Sequence, residues 1–490
     1  MGNWIDNIIS FVSPEKGYER EAWRQGLEEL KKNYDAGSYG RLNANWNAVN
    51  QSAEYTDRAS RDIIRARARD LERNSDIANS LIGAYKRNII GGGYTLQVRT
   101  NEEKINNEIE KLWKKWCKKK NCDVTGTQSF NQIMRMAVQR KKVDGGVLFH
   151  KVYTSSGILP FKIQMLEVDE LDASCIVPKK KENKIVGGVE VNEFNRVEGY
   201  WVRQYTIDGF SISNPLFIPE KDIIFYFSKK RPSQIREISD FAQTIMRIRD
   251  ANEFMNAVSV KERILACLSV FIKKVLPVGI GENRNNKPDK YNYNGKTLMP
   301  GMIKYLNPGE EVDAVNPSGQ AADASSYTKQ QLRLIGAGQG ISYESVSRDM
   351  SESNYSSARQ GMIEDDLTYE EDKELVIEVM DEIYETFLIS AVLAGKVKIR
   401  DFWENKEEYM SHEWIKAPKR WIDPLKEANA NRIAIETGQK TFKEIAAENG
   451  KDWRSQIDDM EEVIAYAEEK GIEMGGIFGE KKSKNKHTDT

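Results

Sequence analysis

A chain of 490 residues, 39% hydrophobic and 30% charged, has apolar material for a sizeable core and for two or more folding units. A formal net charge of −2 excludes a protein that grips nucleic acid by bulk positive charge, and no apolar run reaches the roughly 18 residues of a membrane span. The four cysteines, Cys117, Cys122, Cys175 and Cys267, form no Cys-x-x-Cys pair. With only three histidines in the chain, neither a zinc set nor any other cofactor is expected, and a reducing cytoplasm during synthesis is the simplest setting.

In chain order, residues 1–55 are rich in Asn, Gly, Tyr and Trp and read as an irregular arm with one short helix, Glu21–Lys32. The opening MGNWIDNIISFVSPEKG lacks a basic region followed by a long apolar stretch, so no signal peptide is expected. Over Thr56–Gly93, the residues Ile63, Ile64, Ala68, Leu71, Ile77, Leu81 and Ile82 roughly follow a helical period. Arginines occupy the other face, where a solvated surface is the expectation. The triple glycine Gly91–Gly93 lacks a following Lys-Ser/Thr and a preceding strand, so it is not a phosphate loop. Helical patterns follow at Lys104–Lys120 and Phe130–Lys142, and strand signals dominate from Val143 to Phe227.

Glu237–Lys273 contains no Gly or Pro and predicts one continuous helix, which at 1.5 Å per residue spans about 55 Å. Val275–Ser325 is polar and rich in Gly, Pro and Asn, with the strand-like MPGMIKYLNPGEEVDAV inside it. Tyr327–Gly338 predicts a short helix ending in glycines, and Ser356–Leu393 a long acidic one. Its carboxylates read as a solvated face rather than an acid–base pair. Between these helices, Gly340–Gln360 has a turn and cap composition in which Ser353 or Asn354 can cap the next helix. Helix signals dominate Trp414–Gly471, and the charged tail Glu480–Thr490 is expected to be disordered.

The string GAGQGISYESVSRDMSESNYSSAR resembles the corresponding segment of the lambda-type portal proteins of tailed phages. Further strings resemble that family in the same order along the chain. They include Arg69, Asp70, Leu71, Arg73, Asn74, Ala78, Ile82, Asn88 and Gly91 near the start. GGVEVNEFNRVEGYWV, IPEKDIIFYFSKKRPSQIREIS and PGMIKYLNPGEEVDAVNP follow. Trp421, Asp423, Pro424, Lys426 and Gly450 hold the places of the family's C-terminal signature. One departure is Glu237, where the family usually has Gly, which puts the local turn in question.

The resemblance implies an α+β portal fold: a mixed α/β wing, a long helical stem, a small α/β clip and a helical C-terminal crown. The implied boundaries are an arm at 1–55, wing 56–236, first stem helix 237–273, clip 274–325 and second stem helix 326–339. A tunnel loop at 340–357, a long wing helix at 358–404, the crown at 405–475 and a tail at 476–490 complete the chain. In that family the tunnel loop projects into a DNA channel. Tyr343, Glu344, Ser347, Arg348, Asp349, Ser353, Asn354 and Arg359 are its candidate residues, with Lys329 and Arg333 on the stem. The exposed clip segment Glu282, Asn283, Arg284, Asn285, Asn286, Lys287, Asp289 and Lys290 is the candidate docking site.

The implied function is a homo-oligomeric ring, a dodecamer by analogy, at one capsid vertex of the virion. Double-stranded DNA would pass through it. The major capsid protein, the large terminase subunit and then a head–tail adaptor would be its partners, with no membrane involved. An alternative is a packaging enzyme, which requires GxxxxGK[ST] and an acidic metal site. The nearest approach is Gly295-Lys296-Thr297, with Lys290 where the first Gly must stand. A capsid scaffold is the other alternative. A conduit predicts no catalytic residues and a mobile tunnel loop, since short polar side chains offer little apolar surface as an anchor.

Overall fold

A computed structural model describes the protein at residues 9, 11–30, 45, 48–205, 211–267, 271–272, 304–305, 321–416 and 423–472. The chain divides into two units, Met1–Thr56 and Asp57–Thr490. In the first, α1 (Pro14–Leu30) opens on proline, whose fixed φ suits the first helical position. It begins earlier than the predicted Glu21–Lys32.

The second unit mixes helix and strand. Two helices, α2 (Ala53–Asn74, in this unit from Asp57 on) and α3 (Asp76–Ile89), are separated at Ser75, whose hydroxyl accepts the Ala78 amide at 3.3 Å and caps α3. After β1 (Thr95–Val98) come α4 (Glu103–Trp116), α5 (Lys119–Cys122) and α6 (Phe130–Asp144). Strands β2 (Gly146–Tyr153), β3 (Phe161–Leu166) and β8 (Ile223–Phe227) form an antiparallel sheet in the order β3-β2-β8. A second antiparallel sheet holds β4 (Lys184–Val186), β5 (Val189–Val191), β6 (Val197–Tyr205) and β7 (Ser211–Pro219). The alternation of β2 divides the interior. Val147 and Phe149 join the main core, while Leu148 joins a smaller cluster with Val189, Tyr200 and Ile218.

The long helix α7 (Ile245–Cys267) follows, then β9 (Phe271–Ile272), β10 (Lys304–Tyr305) and α8 (Ala321–Gln339). The short α9 (Tyr343–Ser347) precedes α10 (Tyr355–Leu393), which at 39 residues is about 58 Å long. The chain ends with α11 (Lys406–Tyr409), β11 (His412–Ile415), α12 (Pro424–Glu436), α13 (Phe442–Glu448) and α14 (Trp453–Glu469). β11 pairs antiparallel with β1, tying the C-terminal third to the start of the unit. The main core is densely aromatic. Trp113 lies 5.1 Å from Trp116, 5.2 Å from Phe130 and 4.9 Å from Phe387, ring centre to ring centre.

Three expectations are corrected. The predicted helix over 237–273 begins only at Ile245, because residues 237–244 turn inward and bury Glu237, Ser239 and Phe241. Glu237 takes the place of a glycine with a function of its own. Its carboxylate is fully buried and accepts from Arg236 at 2.8 Å and Arg65 at 3.0 Å, while its carbonyl accepts from Arg61. The arginines of α2 are therefore only partly a solvated face. Arg58, Arg67 and Arg73 are exposed, but Arg61 and Arg65 are buried, and Arg69 spans Asp144 at 2.6 Å and Asp169 at 2.5 Å. Nor is α10 acidic only toward solvent, since Asp365, Asp372 and Lys373 are buried.

Asp372 belongs to the node that joins these elements. Lys141 and Lys142 of α6 meet Asp372 of α10 at 2.6 and 2.8 Å, and Asp240, in the turn before α7, at 3.1 and 3.3 Å. Lys230 reaches Asp240 at 3.1 Å, and Lys142 stands 3.8 Å over the Tyr85 ring. Burial alone would raise the Asp240 carboxyl, but Lys142, then Lys141 and Lys230, outweigh it and hold it well below the usual carboxylate range.

Asp372→Ala leaves two buried ammonium groups short of a partner and should destabilise the protein by about 3–5 kcal/mol in urea unfolding. Because the Asp240 pKa is depressed on folding, its contribution is complete above the unfolded Asp value of about 4. It is lost as pH falls below that value. Stability should therefore fall on acidification through this window, and less steeply in Asp240→Asn.

Candidate functional site

The segment between α8 and α10 begins with glycines for steric reasons. Gly340 has φ +71°, in the left-handed region, and a Cβ on Gly336 would stand 2.6 Å from the Ile341 carbonyl oxygen. The chain then turns sharply back: the Ile341 amide donates to the Gly336 carbonyl at 2.9 Å. Ser342 caps α9 by accepting the Ser345 amide.

The segment is not the unanchored loop its composition suggests. Asp365 of α10, 4% exposed, accepts the Ser342 amide at 2.6 Å, the Ser342 hydroxyl at 2.8 Å and the Ser345 hydroxyl. A buried carboxylate must be satisfied, and these donors are what satisfies it. On the other side, Val346 is buried and its carbonyl accepts from Ser80 of α3 at 2.6 Å. The segment is thereby fixed between α3 and α10.

The candidate residues separate into distinct roles. The Tyr343 hydroxyl donates to Asp349 at 3.3 Å, and the Ser347 hydroxyl donates to the Tyr343 carbonyl at 2.9 Å. Hydrogen bonds from Ser351 hold the Asp349 carboxyl below its ordinary value. Glu344 accepts from the Ser353 hydroxyl at 3.0 Å. Asn354, rather than Ser353, caps α10, in a reciprocal pair with Ser357. On α8, Lys329 reaches Glu352 at 2.5 Å and Arg333 approaches it at 3.8 Å, so these two cations share one carboxylate. Arg359 lies 3.9 Å from Glu427 of α12. Arg348 pairs with neither Asp349 nor Glu352. It is exposed, with φ 58°, at the C-terminal cap of α9. The clip candidates Glu282–Lys290 lie outside the described residues.

Helices α7 and α8 run antiparallel. Gln339 bonds Thr244 at 2.9 Å, Arg247 lies 3.4 Å from Gln331, and the Phe254 and Tyr327 rings are 4.4 Å apart. Among the described residues, both are buried only at their roots, Ile245, Ile248 and Ala251 on one and Ile335, Gly336 and Gln339 on the other. Farther along, Met255, Val260 and Tyr327 are exposed. Helix α12 buries no residue, and Leu425 and Ile433 are exposed on it. Among the described residues, no helix is long and apolar enough to cross a membrane.

Sequence reasoning missed Asp365, Ser342 and Ser345 as anchors. An acidic run gives no sign of which carboxylate is buried, although the Ser342 cap was available from the Ser-x-x-Ser spacing.

Residues 39–373 match the model of the lambda family of phage portal proteins. A probable portal protein of Halomonas phage phiHAP-1 is 24% identical over 86% of this chain and 84% of its own length. Portal protein B of Escherichia phage lambda is 22% identical over 87% of this chain and 88% of its own. A solved chain from the neck of an empty gene-transfer-agent particle aligns with a TM-score of 0.41 and 12% identity, covering 84% of this chain and 99% of that one.

Replacing Asp365 by Ala should release α9 while leaving the main core in place. Amides 342–347 should exchange at least tenfold faster by hydrogen–deuterium exchange, with those of β2 unchanged. Equal protection in the variant would mean that the carboxylate is not the anchor.

Proposed function

Because the chain belongs to the lambda family of phage portal proteins, we propose that it forms the closed ring through which double-stranded DNA enters a capsid and later leaves it. The observation that carries this reading is the antiparallel pair α7 and α8, which leaves the core with apolar side chains still exposed. An amphipathic helix needs neighbours to cover such residues, and copies related by a rotational axis supply them on a surface that closes on itself. The uncovered α12 offers a second surface of the same kind.

In this reading α7 and α8 are the stem, residues 340–357 lie beside the channel, and 405–475 form the crown. Residues 274–325 form the clip, whose Glu282–Lys290 segment docks the large terminase subunit and then the head–tail adaptor. The wing, residues 56–236 with α10, faces the capsid. The protein works as a structural component of the virion and hydrolyses nothing. The pairing of Lys329 and Arg333 with Glu352 supports this, since DNA that must slide needs few phosphate contacts and each one adds salt-dependent affinity.

Purified protein should form rings in negative-stain images, without ATP turnover. Deleting Glu282–Lys290 should leave the rings intact and abolish DNA packaging. Monomers under all salt conditions would defeat the ring, and normal packaging by the deletion mutant would defeat the docking assignment.

A further inference from the structure

Cations on and beside the 340–357 segment already have carboxylates. Lys329 and Arg333 share Glu352, and Arg359 lies near Glu427. Two are different. Arg87 on α3 and Arg348 after α9 are both exposed, and among the described residues neither side chain has a hydrogen bond or an ion pair. Their guanidinium groups nevertheless converge. Arg87 Nη1 lies 2.8 Å and Arg348 Nη2 3.8 Å from the point where a Cβ on Gly83 would stand. Each is thus brought over the same bare turn of α3.

Two like charges at this separation repel. Arg348 lowers the affinity of Arg87 for its proton, adding to the effect of partial burial. Free arginine side chains on a surface would swing apart. Here Arg348 sits on a left-handed backbone, a conformation that is unfavourable for a residue other than glycine. Val346, buried two residues earlier, and its hydrogen bond from Ser80 hold that turn against α3. Close enough to Arg87 to feel its charge is Tyr369, 2% exposed, with Asn88 and Ser345 beside it, its hydroxyl closing no hydrogen bond of good geometry. Burial pushes that phenol up to about 12, so it keeps its proton as a donor at neutral pH.

We infer that Arg87 and Arg348 form a two-guanidinium clamp for a phosphate group of the DNA backbone. This rests on the conduit reading of the preceding section. Converging guanidinium donors over a residue without a side chain suit a tetrahedral oxyanion, which accepts from several directions at once. DNA is favoured over a carboxylate on a second copy because the pair lies against the segment assigned to the channel. It also leaves each subunit one sparse contact there, while the nearby stem cations are neutralised. Phosphate contacts of this kind position the duplex and carry no base information, as a conduit for any sequence requires.

The test uses intact rings of the full chain and a random-sequence duplex. Affinity is measured across a salt series for wild type, Arg87→Gln/Arg348→Gln and Arg87→Lys/Arg348→Lys. Removing one neutralised phosphate lowers the slope of log affinity against log salt by about 0.9. The slope of the Gln pair should fall by at least that much, with binding at least tenfold weaker at low salt, while the Lys pair keeps most of the slope. An unchanged slope in the Gln pair, with rings still formed, overturns the clamp and leaves the conduit reading intact. Failure of the Gln pair to form rings, while the Lys pair matches wild type in assembly and shows no salt-dependent DNA binding, also overturns it and assigns the arginines to an interface between subunits. Failure of wild type itself to form rings counts against the conduit reading instead.

Discussion

Four buried charges decide how this molecule is put together. Lys141 and Lys142 leave α6 side by side, and Asp240 and Asp372 come to them from the turn before α7 and from the middle of α10. Taking such groups out of water is costly, and only close, mutually satisfied geometry offsets that cost. The elements that carry them therefore have little freedom in where they sit. The root of α8 is drawn to the same place: Gln339 donates to the Asp240 carbonyl at 3.1 Å and to Thr244 at 2.9 Å, and its own carbonyl accepts from Tyr85. The bases of the two exposed helices and the long acidic helix thus meet at one polar node beside an otherwise apolar core.

A second set of buried charges fixes the strand-rich half against α2. Glu237 holds Arg65 and Arg236, Arg69 holds Asp144 and Asp169, and Arg236 also donates to the carbonyls of Val168 and Gly187. The two sets are separated by only two residues of chain, from Glu237 to Asp240. A short turn, in which the expected helix has not yet begun, therefore couples the sheets to the exposed helices. A glycine at 237 would leave two buried guanidinium groups without this carboxylate.

The candidate site is anchored by the same need to satisfy a buried charge, here with neutral donors. Asp365 is satisfied by Ser342 and Ser345, so the segment that composition marks as mobile is held on a buried anion. Beside it, Arg87 and Arg348 point outward with no ion pair among the described residues. A protein of net charge −2 can thus carry a local cationic point without becoming a bulk DNA binder.

The sequence by itself determined the family, the order of helices and strands, and most element cores. Those follow from hydrophobic period and from several strings in fixed order, and α10 begins at Tyr355 and ends at Leu393, within one residue of the helix its period predicts. It also determined that Ser353 or Asn354 would cap α10, because capping is local chemistry. Only the tertiary structure decided which charges are buried. Arg61 and Arg65 of α2 look like part of a solvent face, and Asp365 and Asp372 look like any other acids in an acidic run. Nothing within a few residues of them records the partners, which arrive from Glu237, Ser342 and Lys141. The same holds for the start of α7, delayed to Ile245 by side chains that must point inward, and for Arg87 and Arg348, far apart in the chain and brought over one glycine by the packing of α9 on α3. Local propensity reads neighbours along the chain, whereas the cost of an unpaired buried charge is settled by neighbours in space.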